Sequence, residues 1–158
     1  MIFIMRYQLK PITQDNWREA ANLSVAENQK SLIEENRDSL LEATYDRALQ
    51  WTPIGLYVDH KMVGFAMIGA ENQTERSIWF DRFMIDHRHQ KQGYGHALFR
   101  AVLTYLKDHY RNVDTIYLSV HKENVKAFPF YESFGFVQLN EEDPQNGELI
   151  MQHTLTRD

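Results

Sequence analysis

The most restrictive feature of this sequence is a glycine-containing loop between a β-rich segment and an amphipathic helix. Residues 77–85 are rich in strand-forming side chains, residues 90–95 (QKQGYG) form the loop, and apolar residues recur at helical spacing over residues 95–110. Glycine lets a backbone approach a bound group, and the first amides of a helix have no acceptor within the helix. The junction therefore predicts an anion site suited to a diphosphate, although an ordinary strand-to-helix turn has the same pattern.

Two familiar phosphate loops do not match this segment. A nucleotide-binding P-loop requires G-x-x-x-x-G-K-[ST], which the segment lacks. The dinucleotide fingerprint G-x-G-x-x-G would place its third glycine at position 98, which is Leu98. If the loop binds a phosphate group, it does so through neither of these two motifs.

The remaining elements predict an α+β fold, an α/β sandwich around a central sheet. Strands are expected at residues 6–12, 55–59, 62–68, 77–85, 115–120 and 148–155, the last after a turn at 146–147 and with room for one more strand. Helices are expected at residues 14–25 with Thr13 as N-cap, 31–51, 95–110, and 124–134 with Gly135 as its stop.

Composition narrows the classes of protein further. The length of 158 residues suits a single domain over residues 1–158, and the absence of cysteine suits a reducing cytoplasm. The apolar N-terminal residues 1–5 are too few for a membrane span of about 20 residues, so no membrane association is expected. A net charge of −5 argues against nucleic acid as a partner and fits a cationic one.

A second motif lies downstream of the loop. The pattern Asn124-x-x-Ala127-x-x-x-Tyr131-x-x-x-Gly135-Phe136, together with Gln90-x-x-Gly93-x-Gly95, resembles the two strongest motifs of the GNAT superfamily, the Gcn5-related N-acetyltransferases. Within that superfamily, residues 53–57, 63–67 and 81–86 look like the bacterial spermine/spermidine acetyltransferases. The resemblance implies a mixed, mostly antiparallel sheet of six to seven strands flanked by about four helices.

The resemblance also implies an activity and its site. The enzyme would transfer acetyl from acetyl-CoA to a primary amine of a polyamine by direct attack in a ternary complex, and a homodimer is common in the family. The implied cofactor-binding residues are Phe83, Met84 and Ile85 on the strand, Gln90, Lys91, Gln92, Gly93, Tyr94, Gly95 and His96 at the loop, and Asn124 and Tyr131. One departure is Pro129, which should remove a hydrogen bond from the last helix or bend it.

Two side chains are candidates for the chemistry. A tyrosine, with a pKa of about 10, stays protonated at neutral pH, so Tyr131 can donate to the leaving sulfur; the alternative is a core aromatic. An ammonium with a pKa of about 10.4 must lose a proton, for which Asp81 is the candidate base. The alternatives are an ion pair with Arg82 or another cation and, as in many members of the family, a chain of waters.

A polyamine site should combine spaced carboxylates with apolar walls. Glu34 and Asp81 are the predicted substrate-binding carboxylates, with Trp79 as a wall, whereas Glu35 also fits a solvated helix face. No metal site is predicted, because His87 and His89 lack a visible third ligand. The rival functions are acetylation of another small amine, an aminoglycoside or a protein amine, and a non-catalytic CoA-binding module.

Overall fold

The computed structural model describes residues 6–157, which contain one seven-stranded sheet with the strand order β1-β2-β3-β4-β5-β7-β6. The strands are β1 Tyr7–Pro11, β2 Thr52–Val58, β3 Lys61–Asn72, β4 Ser77–Ile85, β5 Thr115–Val120, β6 Val137–Glu142 and β7 Leu149–Thr154. The α-helices are α1 Trp17–Asn22, α2 Asn36–Tyr45, α3 Tyr94–His109 and α4 Ala127–Glu132. β4 and β5 are parallel and the other neighbouring strands antiparallel, so the predicted mixed sheet and its helices are confirmed.

The two faces of the sheet bury different helices because side chains alternate along each strand. On one face Leu56 and Phe80 pack with Phe99 of α3 in the larger core. On the other face Tyr57 and Phe65 pack with residues of α1 and α2 in a smaller core. The central strands are therefore covered on both sides, which holds the ends of β4 and β5 in place.

The parallel strands β4 and β5 separate after a short contact. They pair only from Ser77–Thr115 to Trp79–Tyr117, while β5 pairs with β7 over its whole length. Between Phe65–Met84 and Met67–Asp81 the register advances two residues on β3 and three on β4, which marks a β-bulge. Within the described chain, the second half of β4 therefore pairs with β3 on one side and borders a gap on its β5 side.

The first helix is shorter than its sequence pattern predicts. Thr13 was expected to cap a helix beginning at Gln14, but its Oγ1 accepts a hydrogen bond from the Asp15 N–H at 3.2 Å. The Thr13 N–H in turn donates to Asn16 Oδ1 at 2.7 Å, and the helix begins at Trp17. Side-chain hydrogen bonds thus form a turn in place of the expected first helical turn.

The helix predicted over residues 31–51 is also divided. Only Asn36–Tyr45 is α-helical, Arg47–Leu49 is a single 3-10 turn, and Gln50 has a left-handed φ of +51°. Residues 31–35 are irregular and connect the 3-10 turn Glu27–Gln29 to α2. Few apolar side chains of residues 31–51 face the core. Packing therefore stabilises a shorter helix than the sequence pattern predicts.

The last helix, predicted over residues 124–134, spans only Ala127–Glu132, so Pro129 lies near its start and removes no hydrogen bond from its interior. α4 begins at Ala127, and Pro129 occupies its first turn, where a backbone N–H has no acceptor within the helix.

The last two strands form a β6–β7 hairpin, with Gly147 at a φ of +73° in the connecting turn. None of the described helices combines the length and apolar character needed to cross a bilayer.

Candidate active site

A cavity of about 340 Å³ occupies the gap beside β4, and we call it the β4–β5 groove. It brings together residues from both sequence motifs and from the bulged strand. Of the predicted cofactor residues, it is lined by Phe83, Met84, Ile85, Gln90, Lys91, Gly95, Asn124 and Tyr131. Gln92, Gly93, Tyr94 and His96 complete the adjoining loop and first helical turn outside this lining.

The loop at the start of α3 presents free backbone donors. Gly93 has a left-handed φ of +81°, and the N–H of Ala97 makes the first helical hydrogen bond to its carbonyl at 3.3 Å. The amides between them have no acceptor within the helix, and a Cβ added at Gly93 would meet no atom within 4 Å. Open space, free amides and the helix dipole together fit a diphosphate.

The side chain of Gln90 braces this loop against two other segments. Its Nε2 donates to the Ile85 carbonyl at 2.9 Å and to Gln29 Oε1 at 3.0 Å. Gln90 therefore links the end of β4 to the 3-10 turn Glu27–Gln29 before α2. Its predicted contact with a cofactor would have to be made alongside these hydrogen bonds.

Asp86 anchors the same region from inside the protein. Its carboxylate accepts hydrogen bonds from the Ser24 N–H at 2.9 Å and from the Arg88 N–H and Nε at 3.2 and 2.8 Å. Burial raises the pKa of Asp86, but these donors outweigh it and hold the pKa below its usual value. The loop after β4 is thereby tied to the segment following α1.

A second, smaller cavity of about 60 Å³ adjoins the groove, and we call it the acidic cavity. Its carboxylates are Glu34, Asp81 and Glu148. It shares Leu32, Ile33, Phe83, Asn124 and Tyr131 with the β4–β5 groove. The first motif therefore lines the groove alone, whereas Asn124 and Tyr131 of the second motif lie where the groove joins the carboxylate-lined cavity.

Asp81 is the most perturbed carboxylate in the acidic cavity. Burial raises its pKa to about 7, with further upward contributions from Glu148 and Glu34, while the Arg82 N–H and charge act in the opposite direction. The Arg82 N–H donates to Asp81 Oδ1 at 3.0 Å. The ion pair considered from the sequence does not form, because the Arg82 guanidinium pairs with Glu34 and Glu42 instead.

The two predicted acidic substrate positions on the early helical segment differ in their surroundings. Glu34 lines the acidic cavity and its Oε2 lies 3.2 Å from Arg82 Nε. Glu35 is exposed and precedes the first residue of α2. Trp79, expected as an apolar wall, instead packs on Tyr117 with ring centroids 5.4 Å apart, and the walls are formed by Leu32, Ile33, Phe83 and Val120.

Glu148 is a site residue that sequence reasoning missed. It accepts a hydrogen bond from Ser119 Oγ at 2.8 Å, which orients it into the acidic cavity. Burial raises its pKa, and the neighbouring Glu34 adds to the increase. In the sequence Glu148 reads as the polar start of the closing strand, and the register of β7 with β5 was needed to place it here.

Tyr131 is both a packed aromatic and a cavity residue. Its ring centroid lies 5.3 Å from those of Phe99 and Phe130, and the residue lines both cavities. Burial raises the pKa of the phenol above its usual value, and the charges of Asp81 and Glu148 raise it further. Tyr131 is therefore a packed aromatic that also reaches the cavities, and its role as a donor to the leaving sulfur stays a prediction.

Three histidines lie on segments near the site. His121 lines the acidic cavity, and its Nδ1 accepts a hydrogen bond from the Glu123 N–H at 3.2 Å. His87 and His89 lie on a 3-10 turn after β4. Among residues 6–157, no three metal-ligating side chains are grouped to hold an ion.

Comparison with known proteins defines the class to which this fold and site belong. Residues 13–136 match the acetyltransferase (GNAT) family. The chain belongs to this family, and it is an acetyl-CoA-dependent N-acetyltransferase. A spermine/spermidine N(1)-acetyltransferase from Bacillus subtilis is 36% identical over 152 residues, which cover 93% of this chain and 97% of that protein.

Two solved structures share the fold at lower sequence identity. Spermidine N-acetyltransferase from Vibrio cholerae, crystallised with CoA and spermine, has a TM-score of 0.72, 22% identity, and coverage of 94% of this chain and 95% of that one. The ribosomal-protein-S18-alanine N-acetyltransferase of Escherichia coli has a TM-score of 0.69 and 19% identity, covering 96% of both chains. Since these two enzymes are named for different acceptors, the shared fold does not select one.

Proposed function

We propose that this enzyme acetylates a primary amine of a polyamine of the spermine/spermidine type, by direct attack in a ternary complex. The observation that carries the proposal is the acidic cavity, where three carboxylates meet beside Tyr131. A polyamine places cationic nitrogens along an apolar chain, so spaced carboxylates and the walls formed by Leu32 and Phe83 complement it. The net charge of −5 and the name of the Bacillus subtilis relative support the same acceptor class.

We assign acetyl-CoA to the β4–β5 groove. The gap beside Phe83, Met84 and Ile85 leaves backbone groups available for an extended ligand, and the amides of residues 91–96 suit its diphosphate. Asn124 lines the groove close to its junction with the acidic cavity. When bound, acetyl-CoA supplies the acetyl group as a thioester.

Asp81 is proposed to remove the proton from the attacking ammonium. An alkylammonium with a pKa of about 10.4 is neutral in about one molecule in a few thousand at pH 7, a cost of roughly 4 to 5 kcal/mol. A carboxylate whose pKa is raised to about 7 is a stronger base than an ordinary aspartate and still substantially ionised at neutral pH. Asp81, directly or through one water, can therefore accept the proton as the bond between the amine nitrogen and the acetyl carbon forms.

Tyr131 is proposed to stabilise the departing sulfur. Its raised pKa means that the phenol keeps its proton throughout the neutral range. A thiolate, with a reference pKa of about 8.5, is a weaker base than the tyrosinate, so Tyr131 acts as a hydrogen-bond donor and need not lose its proton. The packing of its ring on Phe99 fixes the direction of that donor.

A panel of acceptors tests the assigned substrate class. Spermine, spermidine, butylamine, an aminoglycoside and an alanine-terminated peptide would be acetylated under matched conditions and compared by kcat/KM. We expect spermine or spermidine to exceed butylamine by about 100-fold, because two added charge-assisted contacts contribute about 1.5 kcal/mol each. Activity confined to the peptide or aminoglycoside would reassign the acceptor, and acetyl-CoA binding without transfer to any amine would indicate a binding module.

Charge-neutral variants connect the acceptor to the cavity. Glu148→Gln should raise the KM for spermine while leaving that for butylamine nearly unchanged, because the monoamine has no second cation. Glu141→Gln, an exposed glutamate on β6, is the matched control. Equal effects of Glu148→Gln on both amines would remove Glu148 from the acceptor site.

We also propose a cytoplasmic homodimer. The sheet ends at β6, where Val137 is 56% exposed, and an unpaired strand edge of this kind can pair with a second copy. Light scattering should then return twice the 18.8 kDa mass of the chain. A single-chain mass at micromolar concentration would contradict the dimer.

A further inference from the structure

Arg82 joins the bulge of β4 to the helical layer that covers the acidic cavity. Its guanidinium donates to Ser39 Oγ at 2.7 Å and pairs with Glu42 Oε2 at 2.9 Å and Glu34 Oε2 at 3.2 Å. Its side chain is only 15% exposed. One largely covered cation therefore holds both α2 and the irregular segment of residues 31–35.

The backbone of Arg82 is as unusual as its side chain. Its φ of +58° lies in the left-handed region, which a side-chain-bearing residue rarely adopts within a strand. This conformation forms the bulge and lets the Arg82 N–H donate to Asp81 Oδ1 at 3.0 Å. The same residue thus orients the Asp81 carboxylate through its main chain and the opposite wall through its guanidinium.

We propose that Arg82 is a positioning residue for proton removal: its main chain holds the Asp81 carboxylate, and its guanidinium holds the opposite wall of the acidic cavity. The inference rests on the proposed role of Asp81 as the base. It adds a device for setting that base in a cavity whose carboxylates would otherwise favour its protonated form.

The groups around Asp81 define the competing charges. Ionisable side chains facing the cavity are Glu34 before α2, Arg82 on β4, His121 after β5, Tyr131 on α4 and Glu148 before β7. Burial and the two glutamates raise the pKa of Asp81, whereas Arg82 lowers it through its N–H and its charge. Removing the charge of Arg82 should therefore leave Asp81 protonated to a higher pH.

A carboxyl titration tests this directly. The chemical shift of the ¹³C-labelled Asp81 carboxyl, assigned by its loss in Asp81→Asn, would be followed against pH in wild type, Arg82→Gln and Arg82→Lys. We expect Arg82→Gln to raise the Asp81 pKa by about one unit or more and Arg82→Lys to change it little. Arg82→Met, which fills similar space without charge, replaces the Gln variant if that variant does not fold.

Glu42→Gln separates charge from mechanical support. It removes one of the contacts holding α2 but keeps the cation beside Asp81, and Glu42 does not line the acidic cavity. With spermine as acceptor, the acidic limb of the kcat/KM–pH profile should shift to higher pH in Arg82→Gln. In Glu42→Gln it should stay at the wild-type pH. A carboxyl titration unchanged by Arg82→Gln, or shifted equally by Glu42→Gln, would overturn the proposal.

The outcome also distinguishes this inference from the proposed base. If Asp81 is not the base, Asp81→Asn retains the acidic limb, while the titration still measures the effect of Arg82 on the carboxyl group. If Asp81 is the base but Arg82 only supports the fold, Asp81→Asn loses the limb and Arg82→Gln leaves it in place.

Discussion

Asp81 and Tyr131 line the same small cavity from different elements, and burial together with the charge of the carboxylate raises the pKa of the phenol. Asp81 lies at the bulge of β4, whereas Tyr131 lies on α4 and also lines the β4–β5 groove. The pair combines a carboxylate that titrates near neutrality with a phenol that stays protonated. The attacking amine needs a group that accepts its proton, and the leaving sulfur needs a hydrogen-bond donor. The reaction requires these two groups on the two sides of one acetyl group.

Removing the Tyr131 hydroxyl should slow turnover without weakening cofactor binding. Tyr131→Phe keeps the ring packed on Phe99 and Phe130, so the Kd for acetyl-CoA should change little while kcat falls by about 100-fold. Initial-rate kinetics measures kcat, and titration calorimetry measures the Kd for acetyl-CoA. Tyr45→Phe, at a tyrosine that is 76% exposed, is the control, and a kcat equal to wild type in Tyr131→Phe would contradict the assigned role.

The activity should depend on the ionisation of Asp81. Its carboxylate is the active form and its pKa is raised to about 7, so kcat/KM should fall as pH drops through about 7, approaching tenfold per pH unit. Asp81→Asn should lower kcat/KM and abolish this limb. A profile that is flat from pH 8 to pH 5, or a limb retained by the variant, would indicate a different proton acceptor.

The same carboxylate should cost the protein stability. A pKa of about 7 in the folded state, above the usual 3.8, means that the folded state binds the proton more tightly than the unfolded chain. Stability is therefore lost as pH rises from about 4 to about 7 and stays reduced above it. At pH 8, Asp81→Asn should have a higher melting temperature than wild type. This difference in melting temperature should vanish near pH 4.

Calorimetry of Glu141→Gln provides the comparison for that stability effect, because this exposed glutamate should give a small difference without the same pH window. A lower melting temperature for Asp81→Asn than for wild type at pH 8 would show that the carboxylate contributes to the fold rather than straining it.

Gly93 should be required for cofactor binding more than for folding. A Cβ at this position meets no protein atom within 4 Å, so Gly93→Ala should cost only the strain of its φ of +81°, about 1 kcal/mol. Gly93→Glu should abolish acetyl-CoA binding, because it places a negative side chain at the proposed diphosphate site. Titration calorimetry measures the affinity of both variants for acetyl-CoA.

Gly147 offers a matched control for the glycine substitutions. It has a φ of +73°, and a Cβ there also meets no atom within 4 Å, but it lies in the β6–β7 turn. Gly147→Glu should show a similar backbone cost with unchanged acetyl-CoA affinity. Unchanged affinity in Gly93→Glu would move the diphosphate away from the α3 loop.

The sequence predicted the elements whose patterns are both apolar and regular. β4 and β5 begin and end at the predicted residues, and α3 lies within one residue of its predicted bounds, because buried periodic side chains define them. The early helices were overestimated, since Asn16 and the 31–35 segment use side-chain or tertiary contacts that periodicity does not encode. The bulge at Arg82 likewise depends on contacts with α2.

The candidate site was predicted where sequence motifs carry it and missed where only tertiary structure does. Asp81, Asn124 and Tyr131 were named from the sequence and all line the acidic cavity, which Asn124 and Tyr131 share with the β4–β5 groove, while their roles stay predictions. Glu148 enters through strand register. Arg82 was considered only as a partner for Asp81, because no local pattern shows that a left-handed backbone directs its guanidinium toward α2.

The central claim is that an amine in the acidic cavity is deprotonated by Asp81 and acetylated beside Tyr131. A crystal structure of the enzyme with CoA and spermine tests it most directly. We expect a terminal spermine nitrogen within about 3 Å of the Asp81 carboxylate, directly or through one water, with the CoA sulfur beside the Tyr131 hydroxyl. Spermine bound outside this cavity, or the sulfur remote from Tyr131, would contradict the account.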